Sequence, residues 1–88
     1  MRYYFHFRDG DILETDDVGA DLPHLSAAVR EAELAAREVL ADAIRGRRPK
    51  VPEAVVITDD SGVELYSLPL AAVLPDPLNR SKQDRLDR

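Results

Sequence analysis

Eighty-eight residues without a single cysteine make one domain, leave no room for a second core, and exclude disulfides and thiolate metal sites. The net charge of −5 is uneven: residues 1–75 carry 14 acids against 8 Lys and Arg, while residues 76–88 carry 3 against 4. An acidic body is repelled by phosphate backbones and anionic lipid, and no segment is apolar for long enough to span a bilayer. Composition therefore favours a cytoplasmic protein that associates with itself or with a protein partner.

Arg2 to Arg8 alternates, with Tyr3, Phe5 and Phe7 on one side and Tyr4, His6 and Arg8 on the other, the period of a half-buried strand. Asp9-Gly10 is a dipeptide preferred in two-residue hairpin turns, and a turn there pairs Arg8 with Asp11 and Phe7 with Ile12. A second strand, 11–15, returns from it. Asp16-Asp17-Val18-Gly19 reads as a turn, and Pro23 suits the first turn of a helix.

From Leu25 to Arg45 the apolar residues Leu25, Ala28, Val29, Ala32, Ala35, Ala36, Val39, Leu40, Ala43 and Ile44 fall at helical spacing and are expected on one buried face. Arg30, Glu31, Glu33, Arg37, Glu38 and Asp42 fall mainly on the other. Gly46 fits the left-handed position after a helix, and Pro49 prevents continuation. Two further strands are expected, 53–59 and 63–68, joined by an Asp60-Ser61-Gly62 turn that pairs Ile57 with Leu65. Pro69 ends the last strand, and 70–74 reads as a short turn or helical fragment. Residues 1–74 then form the domain and 75–88 a flexible charged tail, with Leu78 and Leu86 as its apolar residues.

The pattern predicts an α+β domain: a four-stranded, mainly antiparallel ββαββ sheet with one amphipathic helix on one face. The strand order is 2-1-3-4 or 2-1-4-3. On this reading the second sheet face carries Tyr4, His6, Leu13, Val56, Thr58, Tyr66 and Leu68 and has no cover from its own chain. A symmetric dimer or a partner protein is expected to hide it, through Tyr4, His6, Leu13, Val56, Tyr66 and Leu68.

The pieces Arg2-Tyr3-Tyr4-Phe5-His6-Phe7-Arg8-Asp9-Gly10, Asp16-Asp17-Val18-Gly19, Leu22-Pro23, the alanine-rich helix and Val56-Ile57-Thr58-Asp59-Asp60-Ser61-Gly62 form a set. Over about residues 2–70 that set resembles a family of short bacterial proteins known as domain of unknown function 6894. The resemblance implies a hairpin–helix–hairpin α/β unit and brings no catalytic residues with it. There is a looser similarity to HicB-type antitoxins, which usually have three strands before the helix and a DNA-binding segment after it; neither is evident in this pattern.

Candidate chemistry is sparse. His6 is the only strand histidine, and packing on a half-exposed face explains it more simply than catalysis or ligation. His24 stands beside the helix start, where capping accounts for it. Asp9, Asp11, Glu14, Asp16, Asp17 and Asp21 crowd the first hairpin without the spacing of a calcium loop. No nucleophile arrangement or phosphate-binding glycine loop is present, so no catalytic residue, metal or cofactor is expected. Arg45, Arg47, Arg48 and Lys50 form the one basic cluster, the basis of an alternative reading as a nucleic-acid-binding or antitoxin-like regulator. The same cations are also explained by the negative end of the helix dipole.

Overall fold

A computed structural model describes residues 1–75 of the chain. In chain order the elements are β1 (Arg2–Asp9), β2 (Ile12–Glu14), β3 (Ala20–Asp21), α1 (Leu25–Ile44), β4 (Ala54–Thr58), β5 (Glu64–Pro69) and a 3₁₀ turn (Leu70–Val73). The sheet runs β2-β1-β4-β5, every pairing is antiparallel, and β3 joins the same edge of β1 as β2 does. This is the expected α+β ββαββ architecture, with one short strand more. The expected tail beyond Pro75 lies outside the described residues.

α1 buries Ala28, Ala32, Ala36 and Val39 against Tyr3, Val55, Ile57, Leu68 and Leu70. Leu25 and Ile44, expected on the same face, lie at the two ends of the helix and are exposed, Ile44 at 86%. Alanines on the buried face let the helix come close to the sheet, while β-branched Val55 and Ile57 fill the space beneath it. His24 caps the helix: its Nδ1 accepts from the Ala27 N–H at 3.2 Å. At the other end Arg47 N–H donates to Asp42 C=O and Gly46 N–H to Ala43 C=O, the paired bonds of a Schellman closure, with Gly46 at φ +78°.

Both hairpins depart from the expected register. In the first, Arg8 faces Leu13 and Phe7 faces Glu14, so the turn residues are Gly10 and Asp11, not Asp9 and Gly10. Gly10 has φ +61° and no non-glycine residue has positive φ, which is the type II′ pattern with glycine leading. The turn moves on by one residue, which shifts each pairing partner by two, so the faces are preserved.

In the second hairpin the expected register holds at Thr58 and Glu64 and is then broken by a bulge. Beyond it Ile57 faces Tyr66, not Leu65, and Val55 faces Leu68. One extra residue, Leu65, turns every later side chain of β5 to the opposite face. Leu68 consequently lies in the core beneath α1, only 4% exposed, and not on the far face. Tyr66 likewise moves to the helix side, at the edge of the sheet.

Candidate functional site

The far face of the sheet is built from β1 residues Tyr4, His6 and Arg8 and β4 residues Ala54, Val56 and Thr58. Its centre is not open. Val56 is 4% exposed, and Ala54 and Thr58 are buried beside it. The Arg8 side chain reaches from β1 across β4 to β5, where Nη2 donates to Ser67 Oγ at 3.1 Å. Its guanidinium also meets Glu53 at 3.8 Å and Glu64 at 4.0 Å. A long side chain crossing a strand covers it with methylenes while its charged end stays wet. The expectation of a face without cover from its own chain therefore fails at its middle.

Beside Arg8 lies a polar network. β2 and β3 share one edge of β1 and leave a gap around Phe5. Into that gap the loop from Thr15 to Gly19 inserts Asp16. Its carboxylate accepts from the backbone N–H groups of Phe5 (3.1 Å), Val18 (3.0 Å) and Gly19 (3.2 Å). Partial burial pushes the carboxyl pKa up, but the bonds from Gly19, Val18 and Phe5 and the neighbouring His6 outweigh it, and the net effect is a pKa below the ordinary 3.8.

The Asp16 N–H in turn donates to His6 Nδ1 at 3.0 Å, and His6 Nε2 lies 2.9 Å from Thr58 Oγ1. Tyr4 stacks on His6, with ring centroids 6.5 Å apart and planes 9° from parallel. Aspartate, histidine and a hydroxyl in sequence resemble a nucleophile triad in composition but differ in wiring. Because Nδ1 receives a backbone N–H, the ring proton sits on Nε2 and is donated to Thr58. A general base needs the free lone pair where this histidine carries its proton. The network as built holds the Asp16 loop against the sheet.

The basic cluster is partly absorbed by the fold. Arg48 pairs with Glu14 at 3.3 Å and lies over the Phe7 ring, 5.7 Å from its centroid. Its Nε is the one buried side-chain polar atom lacking a hydrogen-bond partner among the described residues. Arg47 pairs with Asp42 at 3.6 Å. Arg45 and Lys50 make no ion pair among the described residues. Of the tyrosines weighed as stacking partners, Tyr3 is buried, Tyr4 is stacked on His6, and Tyr66 is at the β5 edge. The aromatic ring that the cluster does meet is Phe7, beside Arg48 and Lys50.

The acids of the first hairpin also disperse: Asp21 pairs with Arg2, Glu14 with Arg48, and Asp16 with backbone. Among the described residues no three His, Cys, Asp or Glu side chains converge as metal ligands, and no helix is long and apolar enough to cross a membrane.

Two concavities lie beside these elements. A cleft of about 210 Å³ at the hairpin end is lined by Phe7, Asp9, Ile12, Glu14, Arg48, Lys50 and Pro52. A larger groove of about 440 Å³ runs between the second half of α1 and the 3₁₀ turn, walled by Leu40, Ala41, Ile44, Val73, Leu74 and Pro75 beside Arg37. No pattern reading of the helix singled out this groove, because it depends on where the chain goes after Pro69.

One helix on one face of an antiparallel sheet, with an aspartate plug in the sheet edge, defines a small α+β domain. The chain belongs to the family described as Domain of unknown function (DUF6894), whose match covers residues 2–71. No curated protein and no solved structure matches the chain.

Proposed function

We propose that this chain is a non-catalytic, self-associating protein-interaction module. The carrying observation is the apolar surface that folding leaves on the outer side of α1. Leu34 is 52% exposed and Ile44 86%, and Ile44 borders the groove walled by Val73, Leu74 and Pro75. Single exposed apolar residues such as Leu34 are ordinary, but Ile44 continues into an apolar groove, the kind of surface that a protein covers. The chemistry of the far face supports the same reading, because His6, Asp16 and Thr58 spend their hydrogen bonds on one another and on backbone.

The far-face dimer expected from the pattern has less to recommend it, since Val56 and Leu68 are both buried within the chain. Of the six residues expected in that interface, Tyr4, His6, Leu13 and Val56 lie on that side, with Val56 buried there, and Tyr66 and Leu68 lie on the other. The alternative, a nucleic-acid-binding regulator using Arg45, Arg47, Arg48 and Lys50, loses Arg47 and Arg48 to acidic partners. The test is sedimentation over about 10–200 µM, a range in which an interface below the standard size shows partial association. A concentration-dependent dimer supports the proposal. A monomer throughout, with salt-dependent retention on DNA or heparin, replaces it with the nucleic-acid reading.

A further inference from the structure

We infer that the groove between α1 and the 3₁₀ turn is the seat of the chain's own C-terminal segment, with Leu78 packed against Leu40 and Ile44. Such docking goes beyond self-association and does not require it.

The occupant follows from where the described residues end. Leu74 and Pro75, the last two of them, are part of the groove wall, together with Leu40, Ala41 and Ile44 of α1. Residues 76–88 therefore start at the site, which gives them a high effective concentration there.

The local backbone aims Leu78 at the groove. Leu74 has φ −69° and ψ 137°, the conformation of a polyproline II helix. Pro75-Asp76-Pro77 favours its continuation: each proline fixes φ at about −65°, and Asp76, preceding a proline, is kept out of the helical region. A polyproline II helix repeats every three residues and advances ~9 Å per turn. Pro77 and Leu78 thus return to the faces of Leu74 and Pro75, the two residues that already line the groove. The wall offered by α1, from Arg37 to Ile44, is about 10 Å long, so one such turn matches its length.

Charge agrees with this occupant. Arg37 stands beside the groove and makes no ion pair among the described residues, which offers a cation to Asp76. The segment carries 4 bases and 3 acids, opposite in balance to the 8 and 14 of residues 1–75. A seated Leu78 is also an internal competitor. A second molecule finds the groove only when Leu78 leaves it, so the segment lowers the apparent affinity of whatever covers Ile44.

Nuclear Overhauser spectra of the full chain, labelled in its methyl groups, are compared with isotope-filtered spectra of a mixture of labelled and unlabelled chains. Cross-peaks from the Leu78 methyls to those of Leu40 and Ile44 are expected in the first and not in the second. Their absence from both overturns the docking. Their presence in the filtered spectra places the segment on a second copy and overturns it equally. Leu78→Asp is expected to shift the Leu40, Ile44 and Val73 methyl signals while those of the core residues Val55 and Ile57 stay in place. In sedimentation the same variant is expected to tighten the dimer by about five- to tenfold, the factor by which a mostly occupied groove hides itself. Wild type and variant both monomeric, with the Leu78 cross-peaks present, overturns self-association and supports the docking.

Discussion

The Asp16 carboxylate accepts a hydrogen bond from the backbone N–H of Phe5 at 3.1 Å, at the one stretch of the β1 edge that neither β2 nor β3 covers. A side chain there takes the place of a strand. The substitution Asp16→Asn tests this directly: one amide face still accepts from Val18 and Gly19, but the NH₂ group then opposes the Phe5 donor. Leaving that donor unsatisfied costs about 1–3 kcal/mol, to be read as a lower midpoint in urea with an unchanged slope.

The same carboxylate sets a sign for the acid limb of stability. Its folded pKa lies below the ordinary 3.8, so the unfolded chain binds the proton more readily. The stabilisation is complete at pH values above 3.8 and disappears as pH falls through the lower folded value. Acid titration of the wild type is therefore expected to lose stability more steeply below pH 4 than that of Asp16→Asn. Parallel acid limbs would show that Asp16 is not the group concerned.

The neutral form of His6 is expected as a single tautomer. The Asp16 N–H points at Nδ1, so Nε2 holds the proton and donates it to Thr58. Long-range nitrogen–proton correlation spectra of the neutral ring should show a protonated Nε2 and a bare Nδ1. The opposite tautomer would mean that the Asp16 loop does not dock as described.

Glycines at two loops separate space from backbone strain. A Cβ at Gly19 would lie 2.8 Å from the Tyr3 carbonyl oxygen and 2.9 Å from Tyr4 Cε2, at φ +73°. One at Gly62 meets nothing, at φ +83°. Gly62→Ala is expected to cost about 1–2 kcal/mol for the left-handed backbone alone. For Gly19→Ala the clash with rigid backbone adds to that, giving about 3 kcal/mol or more. Equal losses would contradict the tight seating of the loop on Tyr4.

The bulge at Leu65 is open to a similar comparison. With Leu68 in the core, Leu68→Ala should lose about 2–5 kcal/mol. Tyr66→Ala, at a 41% exposed edge position, should lose about 1 kcal/mol or less. The unbulged register exchanges the faces of these two residues and with them the order of the effects.

Helix, the four longer strands and fold class were legible because each rests on local signals: aromatics at period two in β1, alanines at helical spacing in α1, glycine at Gly46. What escaped depends on single residues acting at a distance. Leu65 looks like any strand residue, yet its insertion into β5 reverses the faces of Tyr66 and Leu68. Arg8 appears in the sequence as a polar far-face residue, and only the placement of Ser67 two strands away makes it a cover for Val56. Asp16 reads as one more turn acid in a run of acids, and nothing local says that its carboxylate reaches back eleven residues to Phe5. The third strand, Ala20–Asp21, is too short to have a periodicity at all.

Because a carboxylate stands in for a strand at Phe5, the connection between Glu14 and Ala20 works as a ruler. It must deliver Asp16 to the gap, Gly19 against Tyr4 and Ala20 opposite Tyr3, all within five intervening residues. Adding or removing one residue there displaces the plug and the third strand together. The Gly46–Pro52 connection carries fewer such obligations, chiefly the seating of Arg48 on Phe7 and Glu14. Length variation among homologous chains should therefore be tolerated after the helix and excluded before it.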